Sequence, residues 1–192
     1  MSSYHHEWLP PAIPALVELP KTEAPYFAVS VTKLVIMDVV TFGVYGFYWQ
    51  YKQWTKIKQQ TQSNLSPFWR AFFSIFLIHQ FFKHVRTHTE EEGLPKTLPV
   101  GVLTLIYVIG TLISRLAEGL LFLVSLIATT LSVALIQQEL DQLHTKLAPD
   151  ADRNARFTPW NIIFGQIGLI LWALYFIGEL FPDFAFGHED FE

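Results

Sequence analysis

The chain has 192 residues, of which 51% are apolar and only 16% charged, and its formal net charge is −4. That composition excludes a disordered or collagen-like chain, and an acidic balance without a basic face excludes a general nucleic-acid binder. With no cysteine, a disulfide scaffold, a thiolate zinc site, an iron–sulfur cluster and a cysteine nucleophile are excluded as well.

Residues 1–30 are polar and proline-rich, with Pro10, Pro11, Pro14, Pro20 and Pro25. They carry no basic segment followed by an apolar run, so they do not read as a secretory signal, and the expectation is an extended N-terminal tail. Four long apolar stretches follow, at about 31–50, 98–116, 119–137 and 160–181. At about 1.5 Å of rise per residue, stretches of roughly 20 residues match the hydrocarbon thickness of a bilayer. The expected fold is therefore all-α and polytopic: a membrane domain over 31–181 with four transmembrane helices, closed by an acidic tail over 182–192.

The first stretch is interrupted by Lys33 and Asp38. Between the second and third, Ser114-Arg115-Leu116-Ala117-Glu118-Gly119 places two charges and a glycine where a tight turn would join two antiparallel helices; the competing reading is one long helix. Past the third stretch, Ile136, Leu140, Leu143 and Leu147 keep helical spacing, which predicts an amphipathic extension ending before Pro149. Ser66-Pro67 and Thr158-Pro159 each put a capping hydroxyl before a proline at a helix start.

Residues 67–86 are apolar but too short between charges for a span. Arg70, Ser74, Gln80, His84 and Thr87 fall near one helical face, with Phe72, Phe73, Ile75, Phe76, Phe82 and Val85 opposite. This predicts an interfacial amphipathic helix, a fifth span being the alternative. Basic residues concentrate between the first and second spans (Lys52, Lys56, Lys58, Arg70, Lys83, Arg86, Lys96) and between the third and fourth (Lys146, Arg153, Arg156). The positive-inside rule then places both connections in the cytoplasm and both termini outside, consistent with an even number of spans.

The first span ends in Thr41-Phe42-Gly43-Val44-Tyr45-Gly46-Phe47-Tyr48-Trp49. This run, together with Ser66-Pro67-Phe68-Trp69-Arg70-Ala71-Phe72-Phe73, resembles a family of small bacterial inner-membrane proteins defined only as a domain of unknown function. The resemblance covers about residues 26–86 and implies a multi-pass protein of the bacterial inner membrane; it implies no activity and no catalytic residue. Read physically, Gly43 and Gly46 permit close approach of another backbone. Tyr45, Tyr48, Trp49, Tyr51 and Trp54 suit an aromatic belt, and Lys52, Lys56 and Lys58 suit anionic lipid headgroups.

Lys33, Asp38, Arg115 and Glu118 form the expected intramembrane polar cluster, with Asp38 pairing to Arg115 or Lys33. His84 and His88 stand four apart, a spacing that could share a metal, but a solvated, polar helix end is the better reading; His5-His6 carries no site. No nucleophile elbow, phosphate loop or zinc-protease motif occurs, so neither an enzyme nor a cofactor is expected. The expected function is that of a small non-enzymatic membrane protein embedded in the lipid bilayer and packing against another membrane protein or a second copy. The alternative is an ion- or proton-coupled transporter or channel using Asp38, and a lipid-modifying enzyme using Asp38, Glu118 and Glu179 is a third.

Overall fold

The computed structural model describes residues 23–181; the first 22 residues and the acidic C-terminal segment lie outside it, and with them His5-His6 and the tail over 182–192. Among the described residues there are seven helices and no strand: α1 (Val31–Val40), α2 (Val44–Thr61), α3 (Pro67–Phe72), α4 (Ser74–Glu91), α5 (Val100–Ile113), α6 (Gly119–Leu147) and α7 (Pro159–Leu180). The all-α expectation holds. The count of four spans does not: only α6 and α7 are long and apolar enough to cross a membrane, and α5 is a shorter apolar helix.

The stretch expected to be the first span is two helices. Phe42 and Gly43 both take left-handed backbone angles, with φ of 54° and 83°, which ends α1 and reverses the chain into α2. Hydrogen bonds register the reversal. Asp38 meets Gly46 near the turn, while Phe27 N–H donates to Gln53 Oε1 at 3.0 Å and Gln60 donates to the Pro25 carbonyl at the open end. The hydropathy of 31–50 was continuous because both arms pack on apolar neighbours, and hydropathy does not register a turn built from two positive-φ residues. The tail reading fails for the residues just before α1, since Tyr26 and Val29 are fully buried between the helices.

The expected interfacial helix over 67–86 is also two helices, broken at Phe73. Pro67 starts α3 as anticipated, but the Ser66 hydroxyl makes no capping bond. The inward face of α4 is Ile78, Phe81, Phe82, Val85, Arg86 and Thr89, whereas Phe76, and Phe73 at the break, are exposed. α4 runs beside the lower half of α6. There Arg86 makes a two-pronged contact with Glu139 (3.1 and 2.6 Å), and Thr97 N–H donates to the same carboxylate at 3.0 Å. That buried pair fixes α4, the entry to α5 and α6 to one another.

α5 and α6 form the expected antiparallel hairpin through residues 114–118, with Gly110 against the Ser125 backbone. α6 runs on to Leu147 as the spacing predicted. Its two halves differ: Leu120, Leu121, Val124, Ile127 and Leu131 are exposed, whereas beyond Leu131 no large hydrophobic of α6 is. α7 begins with the predicted Thr158 cap, reinforced by Asn161, and only Gly168 of its 22 residues is buried. It touches the body where Gly168 lies on the Val40 carbonyl, where Trp172 Nε1 donates to Val39 O at 3.0 Å, and where Trp172 stacks on Phe42.

The molecule thus has two ends. One gathers Pro25–Phe27, the far ends of α2, α4 and α6, and the 148–158 connection. The other holds the hairpin tip at Phe42, the 114–118 turn and the end of α7, where Tyr175 donates to the Gly119 carbonyl at 3.2 Å.

Candidate functional site: a cleft floored by Asp38

A cleft of about 880 Å³ lies between the tip of the α1–α2 hairpin, the α3–α4 break, and the facing sides of α5 and α6. Each wall has a sequence cause. The positive-φ turn at Phe42-Gly43 stops the hairpin part-way along α6. The break at Phe73 turns Phe68 and Phe72 toward the gap while α4 descends. α5 presents Tyr107, Thr111 and Ser114 at helical spacing, ending in Arg115 at the mouth. From Tyr107 to Ser114 the rise along α5 is about 10 Å, which sets the depth.

Asp38 sits at the floor, 4% exposed. Its Oδ1 accepts from Gly46 N–H at 2.7 Å and its Oδ2 from the Thr130 hydroxyl at 2.6 Å. The two donors hold the buried carboxyl group in one orientation. Beside it, the Gln50 amide nitrogen donates to the Tyr107 hydroxyl at 2.7 Å, and that hydroxyl donates to Ser74 Oγ at 3.2 Å. Gln50 Oε1 has no hydrogen-bond partner among the described residues, although Gln50 is buried. The remaining wall is aromatic and aliphatic, chiefly Phe47, Phe68, Phe72, Phe122 and Leu126.

The four residues expected to cluster do not meet. Lys33 points to the other end, donating to Asn154 Oδ1 at 2.9 Å and to the Arg156 carbonyl at 2.7 Å. Arg115 lines the cleft but forms no ion pair with Asp38, and Glu118 is an exposed residue preceding α6. The reason is the hairpin: it turns Lys33 toward the 148–158 connection, and Gly46 supplies the close donor a cation would otherwise have provided. Glu179 approaches Gly119 instead.

The expected aromatic belt divides in two. Trp49 and Trp54 are core residues, Trp49 donating to Gln137 Oε1 at 2.7 Å and both packing on Phe81. Tyr48 and Tyr51 are exposed, and Lys52 lies over the Tyr48 ring. Lys56 and Lys58 are half-buried along the same helix. His84 and His88 do share a helical face, because α4 continues to Glu91. They pack around Tyr26, whose hydroxyl lies 3.3 Å from His88 Nδ1. Burial, and then the neighbouring His88, pushes His84 down to about 4. Among the described residues no group of three or more histidines and carboxylates is placed to hold a metal ion.

Gln50 and Tyr107 were not singled out in the sequence. A signal for Gln50 existed: Gly46, Gln50, Gln53 and Gln60 recur on one face of α2, and all are buried. No family model, curated protein or solved structure matches the chain.

Proposed function

We propose that the chain is a small helical membrane protein that works by binding a small ligand in the cleft between the α1–α2 hairpin and α5–α6. The observation that carries this is the convergence of Asp38, Gln50 and Tyr107 on one floor, beneath walls that combine phenylalanine and leucine side chains with the hydroxyls of Ser74, Thr111, Ser114 and Thr129. A few fixed polar groups in a largely apolar concavity are the usual form of a small-molecule site. No nucleophile–base pair accompanies them, so binding is a better account than catalysis.

The membrane setting is supported by α7, an apolar helix that buries one residue, and by the exposed apolar half of α6. Such surfaces are unfavourable in water and ordinary in lipid. In this reading α6 and α7 cross, the shorter α5 lies along the apolar half of α6, and the open end of the α1–α2 hairpin and the end of α4 lie on the basic side. Lys52, Lys56, Lys58, Lys83, Lys96, Lys146, Arg153 and Arg156 then face the cytoplasm.

A second reading, assembly with another membrane protein or a second copy, is favoured by the narrow seam through which α7 joins the body; the rest of α7 is open to lipid or to a partner helix. The resemblance of 26–86 to small bacterial inner-membrane proteins is compatible with either.

The binding reading is tested by single cysteines at Thr111 and Ser114, which line the cleft, and at Ile109 and Leu112, which face outward on the same helix. In nanodiscs, a membrane-impermeant maleimide is expected to label the first pair and not the second. Silence at all four would show that the cleft is closed to solvent and would remove the reading.

A further inference from the structure

We propose that a groove between the α1–α2 hairpin and α7 holds an acyl chain of an anionic phospholipid, with the headgroup at the groove's basic end. This site is separate from the Asp38 cleft and rests only on the membrane setting proposed above. The groove has a volume of about 560 Å³, with Met37 and Val44 on the hairpin side and Phe164, Ile167 and Leu171 on the α7 side. The seam shapes it. Gly168 lies on the Val40 carbonyl and Trp172 donates to Val39 O, which ties α7 to the hairpin. From this seam toward Thr158, the gap between the two is the groove.

Its outer end is polar and basic. Tyr48 packs on Phe27 at the end of the molecule that holds the 148–158 connection, and Trp160 and Asn161 open α7 there. All three line the groove. Lys52 Nζ stands 5.6 Å from the centre of the Tyr48 ring, and the exposed Arg156 precedes Thr158 by two residues. Among the described residues neither Lys52 nor Arg156 forms an ion pair, and no residue lining the groove is acidic. Lys33, by contrast, is spent within the fold on Asn154 and the Arg156 carbonyl, with Asp152 near it. Two unpaired cations beside an apolar slot complement an anionic headgroup above a hydrocarbon chain. Trp160 and Tyr48 suit the same boundary.

The dimensions favour a lipid over a protein. From Asn161 to Leu171, α7 rises about 15 Å, half of the roughly 30 Å hydrocarbon core, so the groove has the depth of one leaflet. A partner helix, about 10 Å across with its side chains, would have to part Gly168 from Val40 to continue along α7. An acyl chain ends within the leaflet and leaves the seam intact. A zwitterionic lipid fills the same slot but brings no net charge to meet Lys52 and Arg156.

The test is native mass spectrometry of the full chain in mild detergent, with dioleoyl phosphatidylglycerol or dioleoyl phosphatidylcholine added; the two share their acyl chains. Phosphatidylglycerol is expected to be retained as a one-to-one adduct, about tenfold more tightly than phosphatidylcholine. Lys52→Gln and Arg156→Gln should each weaken its retention about fivefold, the scale of one basic residue at an anionic lipid surface. The Arg156 substitution keeps the backbone carbonyl that Lys33 uses. Lys83→Gln, on α4, should change nothing. Ile167→Trp fills the groove from an exposed position and should weaken retention of both lipids, whereas Leu112→Trp, exposed on α5, should not. If Ile167→Trp does not fold, Val44→Trp fills the groove from the opposite wall.

Equal retention of the two lipids would overturn the anionic headgroup. Phosphatidylglycerol retention unmoved by the charge substitutions or by the groove-filling ones would place the lipid elsewhere and overturn the site. A dimer lost in Ile167→Trp, with no lipid retained, would show a second copy in the groove and overturn it too. In each of these cases a chain that stays in liposomes through alkaline carbonate washing keeps its membrane setting. A chain released by that wash, or soluble without detergent, would overturn the membrane setting and the lipid site together.

Discussion

The Asp38 carboxylate occupies the space that a side chain at residue 46 would fill. Its Oδ1 accepts the Gly46 N–H at 2.7 Å, and a Cβ built on Gly46 would stand 2.7 Å from that same oxygen. Glycine at 46 is thus what lets the hairpin close on a charged residue, and the closure in turn orients that residue at the floor of the cleft. Gly46→Ala should therefore destabilise the protein by about 1–3 kcal/mol, the ordinary range for overpacking a buried contact. Thermal unfolding in detergent checks this, with Gly165→Ala as the control, since nothing lies within 4 Å of a Cβ there.

The seam between α7 and the hairpin depends on Gly168, where a Cβ would collide with the Val40 carbonyl. Gly168→Leu should push α7 off the hairpin and uncover the Val39 and Val40 carbonyls that α7 now contacts, loosening the end of α1. Hydrogen–deuterium exchange over 37–43 should speed up, while exchange in the α5–α6 hairpin should not change. Equal protection in the variant and the parent would mean that α7 is held elsewhere.

Arg86 and Glu139 form a buried ion pair that the sequence had assigned only to the basic count of a connection. Glu139 has no solvent exposure and accepts from Arg86 and from Thr97. Removing one partner leaves a buried charge, so Arg86→Met should lose about 3–5 kcal/mol in thermal or denaturant unfolding. Arg86→Met combined with Glu139→Leu should lose less than Arg86→Met alone, because no orphan charge remains.

Acid should weaken the polar end of the molecule. His84 is held near 4, below the ordinary 6.5 of histidine, by burial and then by His88; Tyr26 faces it from the segment before α1, and Glu91 and Glu92 lie near His88. An unfolded chain would take up the proton near pH 6.5, whereas the folded one resists until about 4. Stability should therefore fall as pH drops through that window and level off below it. The melting temperature measured between pH 7 and 4 checks the sign, and His84→Phe should flatten the slope.

What the sequence made legible was periodic or punctuated. The α5–α6 hairpin was marked by Arg115, Glu118 and Gly119, the extension of α6 by Ile136 to Leu147, and the start of α7 by Thr158-Pro159. The reversal at Phe42-Gly43 was not legible, because a non-glycine residue with positive φ leaves no compositional mark and both arms of the hairpin are apolar. Asp38 stood out by its charge, but its partners did not: a backbone N–H has no sequence signature, and Thr130 is one of several hydroxyls on α6. Trp49 and Trp54 were misplaced for a related reason. Tryptophan near lysines resembles a membrane boundary, and only the packing of Phe81 and Gln137 shows it to be core.

The hairpin formed by α1 and α2 builds the cleft, and its direction is the most direct test of this account. With no native cysteine to interfere, single cysteines at Ser30, Ser63 and Leu116 can be probed by an impermeant maleimide in sealed vesicles of known orientation. The account predicts that Ser30 and Ser63 react from one face and Leu116 from the other. If Ser30 reacts together with Leu116, residues 31–50 cross the membrane as a single span, and neither the hairpin nor the Asp38 floor of the cleft exists in the bilayer.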